Sequence, residues 1–153
     1  MRKNETIIED PRTTPIQLFL SDGLQLGDVL ERCLTFSGKS SITVATYSIG
    51  EEFLRRCSIL RRKRLISNLK IVCDTKASEK TARLNPMSRK VADLVVFSQN
   101  HSKFLYIEGE HTDILVFTSQ NQTRGNRIEN YTIIGHQYIP ISLTEQIYEM
   151  SNQ

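Results

Sequence analysis

The sequence predicts an α/β layered domain, on three observations. Residues 41–74 read strand, helix, strand, an order that favours a parallel pair joined by a crossover helix. The other strand-like runs are short and rich in β-branched and aromatic residues, whereas the helix-like runs carry one apolar face. The chain has 153 residues, 39% hydrophobic and 24% charged, the size and composition of one globular domain that can bury a core without a disulfide framework or structural metal.

The elements follow in order. Residues 1–15 are polar, with Pro11 and Pro15, and read as a loosely held N-terminal arm ahead of a single domain over 16–153. Ile16–Leu20 is a short strand ended by the turn signal Asp22-Gly23. Leu26, Val29, Leu30, Cys33 and Leu34 recur at helical spacing, and Gly38 is placed to end that helix. Ser41–Ile49 is a strand. Glu51–Arg64 is a helix, with acidic residues in its first turn and basic ones in its last, as the helix dipole favours. Leu69–Cys73 is a strand ending at Asp74. Residues 75–90 are polar and basic, and Pro86 is expected to break any helix there. Ala92–Phe97, His101–Glu108, Asp113–Thr118 and Ile128–Ile134 read as strands, with Gly109-Glu110 turning the second into the third as a hairpin. A polar loop with Gly125 spans 119–127. Ser142-x-x-Glu145 has the form of a capping box before a short final helix, Thr144–Met150.

Several function classes fall away. No run of 18 apolar residues could span a membrane, and Met1-Arg-Lys-Asn-Glu-Thr6 lacks the apolar region of a signal peptide. Cys33, Cys57 and Cys73 are widely spaced, odd in number and set in apolar runs, so they read as buried free thiols of a reducing, cytoplasmic setting. His111 and His136 lack Cys or carboxylate partners at metal-ligand spacing, so no metal and no cofactor is expected.

The chemistry-bearing residues gather between His101 and Glu129. On a strand, His101 and Lys103 would project from one face: an imidazole that titrates near neutrality beside a fixed cation. Ser119 and Asn121 follow the next strand, and a hairpin would bring that end beside His101; their side chains can hydrogen-bond a phosphate oxygen. Glu129 opens the following strand, and a carboxylate facing an imidazole fixes its tautomer. Taken singly, each piece also reads blandly: an H-x-K met by chance, a polar turn, a surface charge.

Together, His101-x-Lys103-x4-Glu108, Thr118-Ser119-x-Asn121 and Glu129-Asn130 resemble the phospholipase D superfamily, whose order is H-x-K-x4-D, then G-S-x-N, then a downstream Glu-Asn. The strand ending Tyr47-Ser-Ile49, the helix after it and the strand Lys70–Asp74 resemble the family upstream, so the likeness spans about residues 16–135 by order of elements. Two departures stand out: Glu108 in place of Asp, and Thr118 in place of the Gly that shapes the turn before Asn121.

The resemblance implies a mixed, largely parallel sheet flanked by helices on both faces. It also implies a metal-independent phosphodiesterase in which one histidine attacks phosphorus to form a phosphohistidine and a second protonates the leaving oxygen. By that likeness His101, Lys103, Asn121 and Glu129 are catalytic, and Ser119, Lys103 and Asn121 hold the substrate. One H-x-K occurs in the chain, so the likeness implies a homodimer with a shared site. The net charge is only +3, but Arg55, Arg56, Arg61, Arg62, Lys63 and Arg64 crowd one helix and Lys76 to Lys90 adds a second basic segment. Those clusters suit a nucleic-acid backbone, DNA or RNA, read with little sequence specificity; Arg61–Arg64 reads equally as a solvated helix face. A catalytically silent nucleic-acid-binding or assembly subunit is the alternative, and a phospholipid hydrolase or transferase a more remote one.

Overall fold

The computed structural model describes residues 8–77, 79–121 and 127–152. Seven strands, β1 (Ile16–Ser21), β2 (Ser40–Thr46), β3 (Ile66–Asp74), β4 (Leu94–Ser98), β5 (Phe104–Gly109), β6 (Asp113–Thr118) and β7 (Glu129–Gly135), form one sheet in the order β1-β7-β6-β5-β2-β3-β4. Four helices flank it: α1 (Leu26–Ser37), α2 (Glu51–Arg62), α3 (Glu79–Val91) and α4 (Ile141–Ser151). The sheet is mixed, as expected, but it is parallel only across β2-β3-β4; the other four pairings are antiparallel. The crossover helices α2 and α3 impose the parallel part, and the tight connection from β5 to β6 imposes antiparallel pairing.

Alternation along the strands divides the core in two. Val44, Leu69, Ile71, Leu105, Ile107, Val116 and Ile133 face α1, α2 and α3, whose apolar stripes supply Val29, Leu30, Leu54, Cys57 and Leu60. Ala45, Val72, Phe104, Tyr106 and Leu115 face the other way, under Ile147 of α4. Helices thus lie on both faces, three against one.

Three local expectations need correction. Pro86 does not break the basic segment: α3 runs through it. A proline inside a helix removes one backbone hydrogen bond but leaves the rest, and Val91 and Ala92, packed in the core, hold the helix end in place. The last helix begins at Ile141 with Pro140 as its N-cap, so Ser142 lies inside the first turn and forms no capping box; the fixed φ of proline suits the chain entering a helix. And the arm is docked from residue 8 on. Ile8 is 2% exposed, and Gln17 ties the segment down, its Nε2 donating to Glu9 O and Thr14 O and its Oε1 accepting from Glu9 N. Gly135 makes room for it: a Cβ there would sit 2.4 Å from Pro11 O.

Helix ends behave as their residues dictate. Gly38 closes α1 at φ 72°, the left-handed region that glycine reaches without strain. At the end of α2, Arg64 takes that role at φ 60°, with Leu65 N donating to Leu60 O at 3.0 Å.

Candidate active site

His101, Lys103, Ser119, Asn121 and Glu129 all lie at one end of the sheet, which the topology fixes. That end holds the C-termini of β2, β3 and β4, where Asp74 pairs with Ser98. It also holds the start of β5, the end of β6 and the start of β7, because Phe104 pairs with Phe117 and Thr118 with Tyr131.

His101 and Lys103 are not on a strand: β5 begins at Phe104. They lie in the three-residue approach to it, so strand alternation does not align them. A buried polar network shapes that approach instead. Asp74 accepts from Lys76 N at 2.6 Å and from Asn100 N at 2.8 Å. Asn100, 5% exposed, donates through Nδ2 to Thr46 O (3.2 Å) and Ser102 O (3.3 Å), and its Oδ1 accepts from Ser102 N and the Ser102 hydroxyl. His101, between Asn100 and Ser102, is thereby presented to solvent, its ring 5.2 Å from that of Tyr47. Lys103 Nζ donates to His101 O at 3.2 Å, and Lys103 O accepts from Thr118 N at 3.1 Å. The hairpin therefore does bring the end of β6 beside the H-x-K segment.

The turn after β6 is built around Thr118. Its Oγ1 donates to Asn130 O at 2.9 Å and accepts from Gln120 N at 3.0 Å. Thr118 thus shapes the turn with its hydroxyl. Gln120, 3% exposed, anchors the turn from beneath: its Oε1 accepts from Leu26 N at 2.8 Å and from the Tyr131 hydroxyl at 3.3 Å. The Ser119 hydroxyl donates to Glu129 Oε2, and Asn130 N donates to Ser119 Oγ at 3.0 Å. Glu129 thus orients Ser119, and the ring that His101 meets is Tyr47. Asn121 is half-buried, and its Oδ1, shielded from solvent, has no hydrogen-bond partner among the described residues. Gly125 lies outside the described residues.

Asp74, Asn100, Gln120 and Tyr47 complete the site, yet no spacing rule singles them out. Two have a pointer in their neighbours, since Asn100 precedes His101 and Gln120 lies between Ser119 and Asn121, and Tyr47 and Asp74 end the strands that the upstream likeness includes.

The basic clusters divide by position. Because α2 leads from the end of β2 back to the start of β3, its basic C-terminus lies at the opposite end of the sheet from His101; Ser40 N donates to Leu65 O there. Three of its arginines are also committed: Arg55 to Glu51, Arg56 to Asp28 and Glu31, and Arg61 to Asp93 through two hydrogen bonds of 2.7 and 3.1 Å. A basic surface beside the site is therefore not supplied by α2. Lys76, at the end of β3, and exposed Arg127, before β7, belong to the site end.

His136 has a carboxylate partner after all, Asp113 Oδ2 at 3.1 Å, but the pair lies at the far end of the sheet, and no group of three metal-ligating side chains occurs among the described residues. No helix among them is long and apolar enough to cross a membrane.

Against solved structures, this chain superposes on a crystal structure of polyphosphate kinase from Porphyromonas gingivalis with a TM-score of 0.66 at 12% identity, covering 92% of this chain and 26% of that one. The two chains share a fold. The chain spans about a quarter of that enzyme's length. TrmBL2, an archaeal chromatin protein whose structure is described as showing a novel mode of DNA binding, superposes with a TM-score of 0.48 at 10% identity, over 88% of this chain and 50% of that one. No protein-family model matches the chain, and no curated protein matches it in sequence.

Proposed function

We propose that this protein is a phosphodiesterase that works without a metal through a phosphohistidine, at a site shared by two copies of the chain, and that its substrate is the backbone of DNA or RNA. The observation that carries this is the gathering of His101, Lys103, Ser119, Asn121 and Glu129 at one end of a phospholipase D-like sheet. In this reading a His101 imidazole nitrogen attacks phosphorus and the ester P–O bond breaks. The His101 of the second copy gives its proton to the leaving oxygen, then takes one from the water that displaces the imidazole. Lys103 and Asn121 hold the non-bridging oxygens, where charge develops. Ser119 is oriented by Glu129, to which its hydroxyl donates. Cations at the site end, the half-buried Lys103 and the exposed Lys76 and Arg127, favour a polyanion, contacting phosphates rather than base edges.

The test is hydrolysis of bis(p-nitrophenyl) phosphate, plasmid DNA and RNA in EDTA, with acid-labile phosphate trapped on the protein. His101→Ala is expected to lower the rate at least about a hundredfold, with solution mass unchanged. An undiminished rate in that variant would place the chemistry elsewhere. A second reading, a nucleic-acid-binding subunit without turnover, follows from Thr118 in place of glycine. Salt-dependent DNA binding with no phosphate trapped on any substrate would favour it.

A further inference from the structure

An attacking imidazole must be aimed as well as present: a reacting atom misplaced by about 1 Å can cost about a hundredfold in rate. The His101 side chain is exposed, and hydrogen bonds do not aim it. Among the described residues neither of its ring nitrogens has a hydrogen-bond partner. Lys103 Nζ donates to the backbone O of His101, and Glu129, the carboxylate expected to face the imidazole, takes the Ser119 hydroxyl instead. What the ring does meet is the ring of Tyr47, with centroids 5.2 Å apart and planes inclined at 49°. That separation lies within the range of about 4.5–7 Å at which tilted aromatic rings attract.

Tyr47 is itself anchored. Its hydroxyl donates to Lys76 O at 3.2 Å, and its backbone O accepts from Asp74 N at 3.3 Å. The residue before it is held too, since Thr46 O accepts from Asn100 Nδ2 at 3.2 Å. Asn100 is also the residue before His101, and its own N donates to the Asp74 carboxylate. One buried pair, Asp74 and Asn100, therefore sets the backbone beneath both rings. An exposed imidazole laid against a half-buried, anchored phenol ring is restricted in the directions it can turn, while both of its nitrogens stay open to a substrate.

We infer that Tyr47 is a positioning residue: its ring, rather than a hydrogen bond, holds the His101 imidazole in the orientation from which it attacks phosphorus. The inference rests on the phosphodiesterase reading for the attack, in which a nitrogen–phosphorus bond forms as the ester P–O bond breaks, and on the ring contact for the orientation. The hydroxyl helps to place Tyr47 itself, but the backbone bond to Asp74 N remains without it, so a phenylalanine ring keeps the wall against which the imidazole lies.

The experiment is NMR of the imidazole protons of the full chain, with steady-state hydrolysis of bis(p-nitrophenyl) phosphate and a thermal melt, on the wild type, Tyr47→Leu and Tyr47→Phe. The chain has three histidines, and the His101 signals are those lost in His101→Gln. The expected result in the wild type is cross-relaxation between the His101 and Tyr47 rings. In Tyr47→Leu the His101 signals should move, while those of His111 and His136, at the other end of the sheet, stay in place and report an intact fold. Its kcat should fall at least about tenfold with KM changed by less than about twofold, and Tyr47→Phe should recover most of that loss. A wild type without ring-to-ring cross-relaxation overturns the inference whether or not either variant folds. So does a Tyr47→Leu protein that keeps its kcat, or a Tyr47→Phe protein as slow as Tyr47→Leu. A wild type that shows the ring contact but hydrolyses nothing upholds the placement of the imidazole and removes the phosphodiesterase reading instead.

Discussion

At the scale of single residues, the candidate site is held in shape by buried groups behind it. Asn100 is the clearest case: buried, it uses both ends of its amide to hold Thr46, Ser102 and the segment that bears His101. Asn100→Ala would leave the Thr46 and Ser102 carbonyls without those donors, which costs about 1–3 kcal/mol. A urea melt is expected to show that loss, together with a lower kcat under conditions where the variant remains folded. Lys103→Ala tests a different role. It removes the cation and little else, so kcat/KM should fall about 10²–10³-fold with the melt unchanged. An unaltered kcat/KM would take Lys103 out of the proposed phosphate cradle.

At the scale of elements, two features stand out for how they end or interrupt helices. Arg64 closes α2 in the left-handed region, where a side chain is strained by about 1 kcal/mol. Arg64→Gly should therefore raise the melting temperature by about 2–4 °C. Because the end of α2 lies opposite the site, the same variant, and Lys63→Ala with it, should leave hydrolysis and DNA affinity at wild-type levels; a clear loss of affinity would return the α2 cluster to the substrate path. Inside α3, Pro86 withholds an N–H from the helix. Pro86→Ala should stabilise the protein by about 1 kcal/mol or more, read as a higher urea midpoint.

At the scale of the whole molecule, stability couples to pH and to the thiols. The Arg61 guanidinium beside Asp93, with Leu69 N as a further donor, holds the Asp93 carboxyl below its usual 3.8. A depressed folded-state pKa means that this contribution is complete above about pH 4 and is lost as pH falls through the lowered value. The pair ties the end of α2 to the segment between α3 and β4, so Arg61→Ala should flatten the acid limb of the stability curve. The pair is partly exposed, so the loss at pH 7 is about 1 kcal/mol. Burial pushes all three thiols, Cys33, Cys57 and Cys73, up to about 12. A thiol reagent at pH 8 should find none in the native protein and three in guanidinium chloride; fast labelling of the native chain would contradict the buried placement.

The periodicity of the chain by itself determined the β2-α2-β3 unit, the β5–β6 hairpin, the stripe of α1 and the burial of the cysteines, because each depends on neighbours a few residues apart. His101, Lys103, Ser119, Asn121 and Glu129 stood out only together, through their resemblance to a known family's motif order. Tertiary structure alone decided that β5 starts after Lys103 rather than before His101, since Asn100 and Asp74, 26 residues apart, bend the approach. It decided that α3 passes through Pro86, where core packing outweighs one missing hydrogen bond. It also set the basic end of α2 far from the histidine, because a crossover helix returns the chain to the opposite end of the sheet. Local pattern records which face of an element is apolar; long-range pairing decides which elements meet, and the site is made where they do.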